Sequence, residues 1–310
     1  MRFALYLLVC ASMATAVRAQ QKPGEPDHVI KMDVNRVVLF TTIREGKARF
    51  VSDLERENFT VLEDGVAQKI LTFSRDDVPV AIGLLVDNSQ SMMNKRDAVI
   101  AAAKTLVGAT KPEDEIFVLH FNENLTFGLP AKVPFTGDRE LLSQALEKMR
   151  LDGRTALYDA IHLGLNHLAT SKLTKKALIV LSDGGDNLSV RKAEEVVKQA
   201  DLSGALFYGI GIYDPMDGDA NPRVLRKLAE NTGGEAYFPN SLQELSGICE
   251  TIGRDLRNQY MLSYAPELRE KKPAYHKIQI KVKDPKSRRL IIRTRTGYYD
   301  VQNETGPDKP

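Results

Sequence analysis

Cysteine is almost absent from this chain of 310 residues: Cys10 and Cys249 are the two present. Cys10 falls in a leader-like stretch, so no intrachain disulfide can form once that stretch is gone. A chain of this length can build a sufficient core without one. Beyond the leader there is no apolar run long enough for a transmembrane helix. There is also no repeat and no low-complexity block, and the composition is that of an ordinary globular protein. Charge of either sign is not in surplus. Removing residues 1–19 takes away Arg2 and Arg18 and leaves 41 basic against 41 acidic side chains. Nothing in that balance points to nucleic acid or an anionic membrane as a partner. The five histidines, His28, His120, His162, His167 and His276, show no metal-ligand spacing. No G-x-S-x-G elbow supplies a hydrolase nucleophile.

What is present begins with the leader. Arg2 precedes the apolar stretch 4–11, and small residues lead to Val17-Arg18-Ala19. This is the pattern of a secretory signal peptide cleaved after Ala19, and it implies a periplasmic or extracellular location. Val9 stands before Cys10 where a lipoprotein signal needs a small residue, which argues against lipidation. Residues 20–27, with Pro23 and Pro26, read as a linker. Residues 28–78 are strand-like, with a hairpin signal at Asp64-Gly65 and a returning strand expected at 69–73. From 79 to 257 strands (80–86, 115–121, 177–182, 205–211) alternate with helices (92–109, 138–150, 157–169, 190–202, 222–231, 241–257). Such alternation predicts a doubly wound, mostly parallel α/β sheet. Residues 258–300 are strand-like again, with Ile278, Ile280 and Val282 alternating with lysines, and 301–310 read as a disordered tail. Neither flank can hide an apolar face alone. The two are therefore expected to form one small β-sandwich with the α/β domain inserted between them.

The chemistry is concentrated in three loops. Asp87-Asn88-Ser89-Gln90-Ser91, a D-x-S-x-S run, follows the buried strand 80–86. Gly153-Arg154-Thr155 precedes the helix 157–169. Ser182-Asp183-Gly184-Gly185-Asp186-Asn187 follows the buried strand 177–181. Ligands of open α/β sheets bind at the carboxyl ends of strands. A set of carboxylates and hydroxyls there suits a hard cation such as Mg²⁺.

Together the three loops resemble the metal-ion-dependent adhesion site of von Willebrand factor A domains. The likeness spans about residues 79–257, and the flanks look most similar to those of acidobacterial von Willebrand A-related proteins. The resemblance implies metal ligation by Asp87, Ser89, Ser91, Thr155 and Asp183, with Mg²⁺ as the ion and Mn²⁺ or Ca²⁺ as alternatives. It also implies a coordination position left for an Asp or Glu carboxylate of a partner protein. Asp159 and Asp186 are expected to support the loops as hydrogen-bond acceptors. The function implied is a non-enzymatic, exported protein-binding module that spans no membrane and binds no nucleic acid. The alternative is a structural envelope protein whose metal only steadies the loops.

Each of these residues also has a plainer reading. Asp87 and Ser89 could cap a helix N-terminus, as could Thr155 for the helix 157–169. Asp214, Asp217 and Asp219 read as a solvated turn. Cys249 lies in a helical apolar pattern and reads as core. Arg288, Arg289, Arg293 and Arg295 read as the wet side of a strand. Met92, Met93 and Leu125 are candidates for an apolar rim around the loops.

Overall fold

The computed structural model describes residues 36–46, 49–148, 151–213, 221–266 and 275–299. The leader, the linker, the 214–220 turn region with Asp214, Asp217 and Asp219, and the 301–310 tail lie outside the described residues.

Five strands precede the α/β part: β1 (Val37–Glu45), β2 (Arg49–Phe50), β3 (Phe59–Glu63), β4 (Val66–Gln68) and β5 (Thr72–Ser74). The α/β part contains β6 (Val80–Asp87), β7 (Glu115–Phe121), β8 (Leu125–Phe127), β9 (Lys175–Ser182), β10 (Leu206–Gly211) and β11 (Glu235–Tyr237). Its helices are α1 (Arg96–Gly108), α2 (Arg139–Glu147), α3 (Leu157–Ala169), α4 (Ala193–Ser203), α5 (Pro222–Thr232) and α6 (Leu245–Arg257). Four strands follow: β12 (Gln259–Tyr264), β13 (Tyr275–Val282), β14 (Leu290–Arg293) and β15 (Gly297–Tyr299).

The central sheet has the order β11-β10-β9-β6-β7-β8. All of its pairs are parallel except β7–β8. Every residue of β6 is buried, as are nearly all of β7 and β9. Strands with no polar face must be covered on both sides, which is why their sequences run apolar without alternation. The start of the helical stretch after β6 is a 3-10 turn, Gln90–Lys95, that leads into α1.

The flanks form two antiparallel sheets, β14-β1-β12-β5 with β2 on β1, and β15-β13-β3-β4. Each sheet mixes strands from both sides of the insertion: β1 pairs with β12 and β3 with β13. Leu39, Ile43, Phe59, Val61, Tyr260, Leu262, Ile278 and Ile280 fill the space between them. The shared sandwich is therefore present. At the hairpin, Asp64 and Gly65 both have positive φ (50° and 84°), as a two-residue turn between twisted strands demands. The returning strand differs from the expectation. It splits into β4, which stays beside β3, and β5, which crosses to pair with β12 in the opposite sheet. The crossing carries Ile70 into the sandwich core.

The arginines are also not on a wet face. Arg293 pairs with the buried Asp255 of α6 and with Glu235, and Arg44 pairs with Glu235 at 2.5 Å. Arg295 donates to Asp201 O and Gly297 O, and Arg288 pairs with Asp53 and Asp284. Only Arg289 of the four is exposed. The outer face of the β14-β1 sheet is where the α/β domain docks, so a polar strand face there is covered by protein. Asp255, fully buried, also accepts from Thr42 Oγ1 (2.6 Å) and Tyr208 OH (3.0 Å). Cys249 is fully buried, and burial pushes its thiol up to about 12. Among the described residues no helix is long and apolar enough to cross a membrane.

Candidate metal centre

Asp87 closes β6 and is almost fully buried. Its carboxylate organises the loop that follows. Oδ1 accepts from the Ser89 backbone N–H at 2.9 Å, and Oδ2 accepts from the Ser182 hydroxyl at 2.5 Å. Ser182 in turn accepts from Gly184 N at 2.9 Å, so one hydroxyl couples the first loop to the third. Ser89 has the backbone angles of an N-cap but its side chain caps nothing. Its hydroxyl instead lies 3.0 Å from that of Ser91, so two oxygens of the D-x-S-x-S run converge at one point. Ser91 itself is exposed.

The second loop is tied to the first through Gln90 N–Gly153 O (3.2 Å) and Asp152 N–Asn88 O (3.1 Å). Thr155 is buried between the second and third loops. Its N–H donates to Asn187 Oδ1 at 3.0 Å, and its carbonyl accepts from Asn187 N and Leu188 N. Thr155 does not cap α3, because Ala156 holds that position. The first free N–H of α3, that of Leu157, is satisfied by Asp186 Oδ1 at 3.1 Å. Asp159 accepts from Val190 N (2.9 Å) and Arg191 N (3.2 Å). Both acids therefore hold the third loop against α3. At Gly184 φ is +77°, and a side chain would meet the Tyr213 ring, so the turn after Asp183 requires glycine.

Asp183 is buried, and its Oδ2 has no hydrogen-bond partner. Lys95 Nζ stands 3.6 Å from that oxygen. Burial, and then the nearby Asp183 charge, push the Asp87 carboxyl up to about 7. Two buried carboxylates lie close together, and one ammonium, that of Lys95, pairs with Asp183. A carboxylate oxygen that accepts no hydrogen bond, paired hydroxyls and a shortage of positive charge together fit a hard cation.

The structure thus interlocks the loops that carry Asp87, Ser89, Ser91, Thr155 and Asp183. Three contributors escaped the sequence reading. Ser182 is adjacent to Asp183 and was hidden as the last residue of an apolar strand. Lys95 lies four residues after Ser91, one helical turn on. Asn187 stands at the end of the third loop's polar run, and nothing in the sequence assigns it a role. The rim also differs: Met92 is fully buried, whereas Met93 and Val190 are exposed (56% and 92%).

A family model, the von Willebrand factor type A domain, matches residues 81–251. An uncharacterized protein of Borreliella burgdorferi is 27% identical over 158 residues, covering 48% of this chain and 46% of that protein. The chain thus matches about half the length of that relative. The solved structure of a von Willebrand factor type A protein from Catenulispora acidiphila has a TM-score of 0.51 at 12% identity, covering 87% of this chain and 74% of that one. Proximal thread matrix protein 1 of the mussel byssus, solved with zinc in its MIDAS motif, has a TM-score of 0.52 at 18% identity, covering 64% and 50%. With its strand order, its loop cluster and a family match over more than half its length, the chain belongs to the von Willebrand factor type A domain family.

Proposed function

We propose that this chain is an exported, non-enzymatic protein-binding module. Asp87, Ser89, Ser91, Thr155 and Asp183 hold Mg²⁺, with Mn²⁺ or Ca²⁺ able to substitute. A partner protein presents an Asp or Glu carboxylate that completes the ion's shell. The observation that carries the reading is the buried Asp183 Oδ2, which accepts no hydrogen bond, close to the charge of Asp87, whose loop presents the Ser89–Ser91 hydroxyl pair. With two formal negative charges in its shell the ion stays electrophilic, and a third carboxylate is attracted to it. Exposed Met93 and Val190 on the flanking loops offer apolar contact to a partner. The loops 87–91, 152–156 and 182–189 contain no histidine or cysteine to act as base or nucleophile.

The purely structural alternative is weaker, because backbone hydrogen bonds already tie the three loops together without an ion. The leader pattern supports a periplasmic or extracellular setting.

Mg²⁺ or Mn²⁺ should raise the melting temperature of the wild type, since a ligand of the native state stabilises it by mass action. Asp87→Ala should remove that shift. Capture of a partner from envelope extract should need Mg²⁺ and fail in EDTA. An equal thermal response of wild type and variant would refute the site.

A further inference from the structure

Far from the three loops, the sandwich encloses a second set of metal-capable groups. Glu63 ends β3 on the inward face, in phase with Phe59 and Val61. His276 lies near the start of β13, in phase with Ile278 and Ile280. The strands pair with Ile278 opposite Glu63, and Asp64 is the first residue of the turn that follows. His276 Nδ1 consequently sits 2.8 Å from Asp64 Oδ2 and 3.9 Å from Glu63 Oε1. The three residues offer ligand atoms that all lie within 4.8 Å of one another.

The other oxygen of each carboxylate is already engaged. Asp64 Oδ1 accepts from Lys277 N at 2.8 Å, and Glu63 Oε2 accepts from Tyr298 OH at 3.1 Å. Those bonds turn Oδ2 and Oε1 toward the imidazole, which is how outer partners orient metal ligands. Glu63 and His276 are buried (1% and 8% exposed). The Tyr264 hydroxyl, on a fully buried residue, adjoins Glu63.

We propose that Glu63, Asp64 and His276 form a second divalent-metal site, of zinc type, that clasps the two flanks of the sandwich. One imidazole nitrogen with two carboxylate oxygens is a donor set for Zn²⁺, Co²⁺ or Mn²⁺; Mg²⁺ prefers oxygen alone. Tetrahedral zinc with bonds of about 2.0–2.2 Å places its ligand atoms about 3.3 Å apart. The observed 2.8 and 3.9 Å, for the two pairs that include the imidazole, straddle that value. The ion takes the place of the hydrogen bond between Nδ1 and Asp64. Because the ligands lie 212 residues apart on either side of the inserted domain, the ion acts as a staple between the two halves of the sandwich.

The test uses the full chain, stripped with chelator, as wild type and as Asp87→Ala, so that failure of this site and failure of the loop site are distinguishable. Dialysis against Zn²⁺ should leave one equivalent on Asp87→Ala. Asp64→Asn, at a partly exposed turn, should weaken that binding at least tenfold, and His276→Gln should abolish it. On the wild type in saturating Mg²⁺, Zn²⁺ should shift the ¹⁵N resonance of His276 Nδ1. A hydrogen-bonded His–Asp pair and nothing more is the overturning result: no zinc on Asp87→Ala, or no movement of the His276 nitrogen in the wild type.

Discussion

Lys95 Nζ lies 3.6 Å from Asp183 Oδ2, the one oxygen of that carboxylate without a hydrogen bond. The ammonium is mostly buried, so its field is little screened. It supplies the loop cluster with a tethered positive charge in the absence of metal, and it opposes entry of a divalent ion. Lys95→Met should therefore tighten Mg²⁺ or Mn²⁺ binding by about tenfold, an effect of about 1.4 kcal/mol. The same variant should melt lower in chelator, where two buried carboxylates are left without the counter-charge. Calorimetric titration and thermal melts check both. An unchanged affinity would show that Lys95 is a bystander.

Asp255 binds α6 to the sandwich through Thr42 and Arg293 and to β10 through Tyr208. Removing one member of a buried charged network leaves the others unpaired. Asp255→Ala should cost the full chain about 3 kcal/mol in urea denaturation. The same substitution should cost a 79–257 fragment much less, because Thr42 and Arg293 are absent from it. Equal losses in both would mean that Asp255 matters only within the α/β domain. Any piston-like shift of α6 must break the same bonds, which favours a rigid module.

A 79–257 fragment should fold alone, since it holds a complete two-sided sheet with its helices. A 28–78 fragment should not. Within it β1 and β3 keep only the short β2 and β4 as partners, while β12, β13 and β14, which pair with β1, β3 and β5, lie beyond residue 258. Cooperative unfolding of 28–78 by itself, seen by circular dichroism, would contradict the shared sandwich.

His120 is buried, and burial lowers its pKa below the ordinary value of 6.5. Its Nε2 lies 2.8 Å from Ala145 O, to which the neutral ring donates. The folded chain therefore resists protonation that the unfolded chain accepts near 6.5. The sign follows: stability falls as pH drops through 6.5, by up to about 1.4 kcal/mol per unit. His120→Gln should flatten that part of the profile. Subtracting the variant's urea midpoints from those of wild type between pH 5 and 7.5 isolates the term. A constant difference would refute it.

Buried strands and the D-x-S-x-S run could be read directly, because unbroken apolar stretches and converging hydroxyls leave a local trace. The rest depends on what covers a surface. Alternation correctly set Arg293 opposite Ile292, but alternation reports a face of the sheet and not what packs on it. The α/β domain covers that face, so Arg293 became a buried partner of Asp255. His276 was in phase with Ile278 and Ile280, which already placed it inward. Only the pairing of β3 with β13 brings it to Glu63 and Asp64. Linear spacing between histidines could not show that. Met92 and Met93 are neighbours in sequence, and the 3-10 turn sends one into the core and the other into solvent.

The loops with Asp87 and Asp183 sit at the carboxyl ends of β6 and β9, whereas Lys175, at the opposite end of β9, packs against Phe40 of the sandwich. At about 3.3 Å per residue, the eight residues of β6 separate these ends by about 26 Å. A pull between a partner held at the ion and an anchor on the sandwich would run along the strands. Hydrogen bonds between β6 and β9 would then be loaded together in shear, and would not open one at a time. On the proposed function, the bond between ion and partner carboxylate would then be the weaker link under tension, and the module would release its partner before losing its fold.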